Sequence, residues 1–338
     1  MTVRVGVFLT NQQPPGRDQV TALEEQLRLV RSARDHGLDS VFAGQHHLSE
    51  SLAHIQPLPY LARVAADAGD MRVGMGIHLL ALHNPVDTAE NYASLDVVSG
   101  GRLIFGVGLG YRQVEYDALG VPTRDKTRRL TENLRIVQAL WSGESVEADL
   151  PWCHLDGVSL NLLPVQRPRP PVWMAANSDA AVRRAARLAD TWMINPHATV
   201  ETIARQLEIY RTERAAAGRG EPRELPAVRE IFCAETRERA LELAEPYLRA
   251  KYQVYADWGQ DTVMPDRESF RRPYAELEHG RFVVGTPDDC LERLLPWRDK
   301  LGVNHFLFRT DWVGMPVDSA QASLDLLARE VVPVLRNP

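Results

Sequence analysis

Short apolar runs alternate with amphipathic stretches along most of the chain. The run VRVGVFL (3–9) has the length and composition of a strand. Behind it Val20, Leu23, Leu27 and Val30 recur at helical spacing until Gly37 supplies a C-cap. The same pairing repeats. SVFAG (40–44) precedes the helix PLPYLARVAADAG (57–69), and MRVGMGIHLL (71–80) precedes a helix over 84–101. RLIFGVGLG (102–110) precedes a helix with Leu130, Leu134, Val137 and Leu140 on one face. The rhythm breaks in a proline-rich excursion, about 143–170, whose two apolar stretches suggest a hairpin. It resumes with PVWMAAN, TWMIN and PAVREIFCA, each before a helix, and breaks again in an insertion at about 236–281. The strand VNHFLFR and a last helix finish the chain. Eight strands, each followed by a helix, predict parallel pairing. The expectation is one domain over 1–338, a (β/α)8 TIM barrel with an insertion after strand seven.

Composition agrees with a globular chain: 338 residues, 44% hydrophobic, 25% charged, formal net charge −6. That acidic balance lacks the footprint of a nucleic-acid binder, and the pair Arg183-Arg184 reads as a solvated helix face. No run approaches the about 18 apolar residues of a membrane span. The first apolar run ends at Leu9, too early for a signal peptide. Cys153, Cys233 and Cys290 stand far apart without CxxC spacing, which argues against a disulfide framework or a zinc site. These features predict a cytoplasmic protein with reduced thiols and no nucleic-acid or membrane partner.

In such a barrel the chemistry sits at the C-terminal ends of the strands. Those ends are poor in carboxylates, and Asp179 and Asp311 lack an obvious acidic partner, so a glycosidase pair is not expected. His46 and His47 are adjacent, and adjacent side chains in extended chain point to opposite faces. One of them can face the barrel mouth; a metal pair is disfavoured. No GxSxG elbow is present. GVGLG (106–110) has Tyr111 where a dinucleotide fingerprint needs its third glycine. Gly108 and Gly110 then have two readings, close packing of strand on helix or close approach of a flat ligand. Gly74 and Gly76 share the choice: space for a bulky neighbour, or a flat ring against Gly74, Met75 and Gly76. Asn177 and Ser178 open the fifth helix, where either caps it and where free amides favour an anion.

QHHL, HNPVDTAENYASLDVVSGGRLIFGVGLGYRQVEYDALGV, VWMAANSDAAVRRAARLAD and HFLFRTDWVGMP together resemble the bacterial luciferase-like flavin monooxygenase family, over nearly the whole chain. The resemblance implies a site for reduced FMN, used as a co-substrate with O2 to oxygenate a small, apolar organic compound through a flavin C4a-(hydro)peroxide. By the same resemblance His46 is the catalytic histidine. Met75-Gly76 is the segment behind the isoalloxazine, often with a non-proline cis peptide. Gly108 and Gly110 lie near the ring, and Asn177-Ser178 hold the phosphate. Phe8, Gln45, His78 and Trp312 are the substrate-side candidates. The family's cysteine and arginine are replaced here by Gly108 and Leu109, leaving Arg112 or Arg309 as substitutes for the phosphate-pairing arginine. Gln45 stands where an acidic residue is common. A separate NAD(P)H:flavin reductase and a homodimer are the implied partners. Two alternatives stay open, a deazaflavin-dependent dehydrogenase or reductase on the same barrel, and a flavin-binding protein without turnover.

Overall fold

The computed structural model describes residues 2–265 and 269–337. Its strands are β1 Arg4–Leu9, β2 Ser40–Ala43, β3 Arg72–Met75, β4 Leu103–Val107, β5 Val172–Ala175, β6 Thr191–Met193, β7 Pro226–Cys233, β8 Phe282–Gly285 and β9 His305–Arg309. They form one parallel nine-stranded sheet in the order β6-β5-β4-β3-β2-β1-β9-β7-β8. A parallel bridge between Ile194 and Ala227 joins the end of β6 to β7, so the sheet curls round to meet itself. β8 pairs with the far end of β7, from Glu230↔Phe282 to Cys233↔Gly285. The sequence expectation left this FVVG run, between the insertion and the next helix, without an element; a four-residue apolar run carries no period of its own.

The helices are α1 Gln19–Asp35, α2 Pro57–Asp67, α3 Pro85–Val98, α4 Gln113–Ala118, α5 Lys126–Trp141, α6 Asp179–Leu188, α7 Val200–Ala216, α8 Arg237–Asp257, α9 Tyr274–Glu278, α10 Pro287–Asp299 and α11 Val317–Leu326, followed by a C-terminal turn of helix. Local chemistry sets their starts. Asp18 accepts from the Val20 and Thr21 amides, Asn84 caps ahead of Pro85, and Thr286 with Asp289 forms a capping box. Gly120 and Pro122 divide α4 from α5. The proline-rich excursion forms an antiparallel hairpin, Val146–Leu150 with Cys153–Val158. Asp266, Arg267 and Glu268 of the insertion lie outside the described residues.

Strand alternation produces two cores. Outward residues such as Val5, Val41, Val73 and Phe105 pack under the helices. Inward residues Phe8, Phe42, Ile104, Trp173, Met193, Val228 and Leu307 fill the interior. Phe42 and Trp173 stack at 5.3 Å. A Cβ at Gly74 would overlap the Phe42 ring, so that glycine makes room for a bulky neighbour. Below, Ser40 and His305 meet at 2.8 Å and Arg72 reaches Glu224 at 3.0 Å, which closes the N-terminal end. The open end is the C-terminal one.

Gly106 presses against the Met75 carbonyl, which cannot move aside, whereas Gly220 faces open space. Gly106→Ala is expected to lower unfolding free energy by about 2–3 kcal/mol, and Gly220→Ala to change it by less than about 0.5 kcal/mol. Urea denaturation midpoints check both; equal midpoints would contradict this packing.

Candidate active site

At the open end lies a cavity of about 830 Å³. The segment after β2 supplies Gly44, Gln45 and His46, and the segment after β3 supplies Gly76 and Ile77. His46 is fixed from behind by a buried acid. Glu115 of α4 is fully buried, and its Oε1 lies 3.1 Å from His46 Nδ1. The same oxygen accepts from the His47 amide at 2.9 Å and from Arg112 Nη1 at 3.4 Å. Arg112 also donates to the His47 and Leu48 carbonyls, at 2.6 and 3.0 Å. This clamp holds the sharp turn in which Leu48 adopts φ 49°, a region that non-glycine residues rarely enter. Burial pushes the Glu115 carboxyl up, but hydrogen bonds from His46 and His47 and the Arg112 charge outweigh it and hold the group below its usual range. With the Nδ1 proton donated to that carboxylate, His46 Nε2 is left free toward the cavity.

His47 turns away, its ring 5.5 Å from His83, as strand alternation requires of the second histidine. Gln45 is a staple between two strand ends: its Oε1 accepts from the Leu79 amide at 2.9 Å while it lines the cavity. Among the described residues no cluster of three or more His, Cys, Asp or Glu could hold a metal.

Across the mouth, α6 presents its N-terminus. Ser178 caps it, accepting from the Ala181 amide at 3.3 Å, and Asn177 is oriented by Asn195 at 2.9 Å. Asp179 is neutralised by Arg205 at 2.7 and 3.0 Å. Ala180, Ala181 and Arg184 share the face that lines the cavity, as i, i+3 and i+4 spacing dictates. Arg184 therefore departs from the solvated reading: its Nε is buried without a hydrogen-bond partner, while Arg183 points out to Glu213. Lys126, at the start of α5, also lines the cavity.

Of the residues expected at the site, Phe8, Gln45, His46, Gly76, Gly110, Asn177 and Ser178 line this cavity. Four others stand off it. Met75 still belongs to β3, paired with Ala43, and packs outward under the helices; the cis peptide is Gly76–Ile77, one bond later than expected. Gly108 leaves room for Ile77, whose side chain a Cβ there would overlap. His78 follows Ile77 on the outward side, between Tyr92 at 3.1 Å and Thr88 at 3.3 Å, and stacks on His83. Trp312 is buried and donates to Glu230 Oε2 at 2.7 Å. Of the two arginines weighed as phosphate partners, Arg112 is committed to the clamp; Arg309 lines the cavity on the opposite wall.

Sequence reading missed Glu115 and Arg184. The Arg112–Glu115 spacing of three on one short helix was the available sign for the first. The insertion contributes too: Tyr255 and Met264 line the cavity, and Trp258 packs 5.0 Å from His46 and 4.2 Å from the Arg112 guanidinium.

The model of the luciferase-like monooxygenase family matches residues 3–305. 4-Hydroxyprotoasukamycin monooxygenase of Streptomyces nodosus subsp. asukaensis is 27% identical, over 98% of this chain and 92% of that one. The oxygenase component of the flavin-dependent trigonelline monooxygenase of Acinetobacter baylyi is 24% identical, over 92% and 89%. The oxygenating constituent of 3,6-diketocamphane monooxygenase from Pseudomonas putida, solved with FMN, superposes with a TM-score of 0.82 at 18% identity, covering 98% and 99%. No helix among the described residues is long and apolar enough to cross a membrane.

Burial is the first cause holding the imidazoles of His47, His54, His78, His83, His197 and His305 below their usual range, His54 and His83 at about 4. Below pH 6.5 the unfolded chain takes protons that the folded chain refuses. The contribution of these imidazoles to stability is therefore expected to be full above pH 6.5 and to be lost as pH drops from there toward 4. The slope should be at least that of one histidine, about 1.4 kcal/mol per pH unit. Urea midpoints at stepped pH check this; a flat response down to pH 5 would contradict it.

Proposed function

The chain belongs to the luciferase-like monooxygenase family, and from that premise we propose that it is an FMN-dependent monooxygenase, its curled sheet a (β/α)8 barrel with an insertion after the seventh barrel strand. One observation carries the cofactor assignment: a single cavity joins an anion corner to a flat backbone wall beside a free imidazole nitrogen. The corner is Asn177, Ser178 and Arg184 at the start of α6; the wall is Gly44, Gly76 and Ile77; the nitrogen is His46 Nε2. The fit is physical. A helix N-terminus with a buried, unpartnered guanidinium nitrogen suits a phosphate. The wall at Gly44 and Gly76 is backbone, with the Phe8 ring and the Met193 methyl packed against Gly76, and a planar ring can lie along that backbone beside Phe8. The volume falls within the range of small-molecule sites.

In this reading Ser178 and Arg184 hold the phosphate, and Gly76 and Ile77 back the ring. Reduced FMN, when bound, supplies the activation of O2 for oxygen transfer to an organic substrate. His46 moves or holds a proton at Nε2 beside the ring, and Glu115 is a positioning residue that fixes its tautomer and orientation. Tyr255, Trp258 and Met264 exclude water from the mouth. The similarity to an oxygenase component supports a separate NAD(P)H:flavin reductase as the source of reduced FMN.

Titration with FMN and with a deazaflavin coenzyme, followed by flavin fluorescence, tests the cofactor. FMN is expected to bind more tightly, and Arg184→Ala to weaken it by about tenfold. Tighter binding of the deazaflavin would overturn the assignment. In an assay driven by a separate reductase, His46→Asn is expected to lower turnover by about a hundredfold with FMN affinity within about threefold. Glu115→Gln should lower kcat by about tenfold with KM and FMN affinity little changed, and Glu115→Asp should restore part of it. An unchanged kcat would reduce Glu115 to a purely structural part.

A further inference from the structure

Strand order divides the cavity. The anion corner follows β5, the loop of Leu109, Gly110 and Tyr111 follows β4, the flat wall follows β3, and His46 follows β2. These are four successive strands, and a flavin seated as proposed above spans them. The other four barrel strands, β1, β9, β7 and β6, face it with Phe8, Arg309, Val228 and Met193. That half remains for the substrate.

Arg309 is the cation of this half. Its guanidinium lies 4.1 Å over the face of Phe8, and the Tyr255 hydroxyl is beside it. Among the described residues no carboxylate comes within ion-pair distance of it, and its Nε has no hydrogen-bond partner. Two buried carboxylates stand near, and both are engaged elsewhere. Glu230 is paired with Lys251 and accepts from Trp312 at 2.7 Å. Asp311 accepts from the Thr10 amide at 3.1 Å and from Gln26 at 2.8 Å. A guanidinium held without a counter-ion on the cavity wall, among Phe8, Val228 and Met193 and the neutral polar side chains Asn11, Gln12 and Asn195, is poorly compensated unless a ligand supplies the charge.

We propose that the substrate is an organic anion, an apolar body carrying a carboxylate or a similar acidic group, and that Arg309 receives that group as the specificity-determining residue. The proposal rests on the flavin reading, which assigns the opposite wall to the cofactor. Phe8, Val228 and Met193 take the apolar body, and Tyr255 donates alongside Arg309. The planar guanidinium fixes the orientation of a carboxylate through paired hydrogen bonds, which a lysine in its place would not.

The test is calorimetric titration of the full chain, with and without FMN, using hexanoate, benzoate and cinnamate against hexanamide, benzamide and cinnamamide. At least one acid should bind about tenfold tighter than its amide. Arg309→Gln should erase that preference, Arg309→Lys should keep part of it, and the FMN affinity of both should stay within about threefold of the parent. Arg309→Met serves in place of the glutamine variant should that variant not fold. No acid preferred over its amide, or a preference that survives Arg309→Gln, overturns the proposal. So does a tenfold loss of FMN affinity in Arg309→Gln, which would give the guanidinium to the cofactor. Failure of the parent chain to bind FMN sinks the flavin reading instead, and the titrations without FMN then decide the acid preference by themselves.

Discussion

A carboxylate taken out of water is unfavourable by several kcal/mol unless donors surround it. Glu115 is fully buried, and its Oε1 gathers a histidine ring nitrogen, a backbone amide and a guanidinium. Three pieces of chain meet there: the loop after β2, the loop after β4 and, through the stacking of Trp258 on Arg112, the insertion. Removing the acid would leave Arg112 buried without its anion and the His47 amide without an acceptor. The loop that aims His46 would then lose its support. The tautomer of His46, the turn at Leu48 and the seat of Trp258 all follow from that one oxygen.

A second set of buried charges plays the corresponding part on the opposite wall. Lys251 of α8 reaches Glu230 of β7, which ties α8 to the curled sheet. Burial, and then the neighbouring Arg309 charge, bring the Lys251 ammonium down to about 7, while the Lys251 charge helps hold the Glu230 carboxyl below its usual range against the effect of burial. A pair of this kind is weak evidence for stability, since desolvation offsets much of the attraction. Its effect is positional. It takes Glu230 away from Arg309 and anchors the helix that carries Tyr255 over the cavity.

Much of the frame was legible because two periods were enough to read it. Runs of four to eight apolar residues before helices gave eight of the nine strands of the curled sheet, and alternation left one of His46 and His47 to face the mouth, which the family resemblance assigned to His46. Alternation also explains the misplacements. Met75 and Gly108 came from the resemblance and His78 and Trp312 from their places near strand ends, but each sits on the outward side of its strand or beneath a neighbour. A cis peptide one bond later than expected and a glycine that only accommodates Ile77 depend on three-dimensional neighbours. So does Arg184: its sequence pattern, an arginine pair in an alanine-rich helix, is that of a solvated face, and only the docking of α6 turns one member inward. Strand β8 escaped because four residues next to an insertion have no periodicity to detect.

The division of the mouth follows from topology more than from any single residue. In a curled parallel sheet every strand contributes one loop to the rim, so neighbouring loops hold neighbouring parts of a ligand. A phosphate group and a planar ring joined by a chain must occupy successive loops, and here the anion corner, the backbone wall and His46 do succeed one another. Whatever binds beside the ring meets the remaining loops, and these carry a different chemistry: aromatic, aliphatic and neutral polar surface with the guanidinium of Arg309. Relatives that keep the first arc and vary the second can hold one cofactor and act on unlike substrates. The charge on Arg309 is then a property of this chain's own second arc, balanced by no protein carboxylate within ion-pair reach among the described residues.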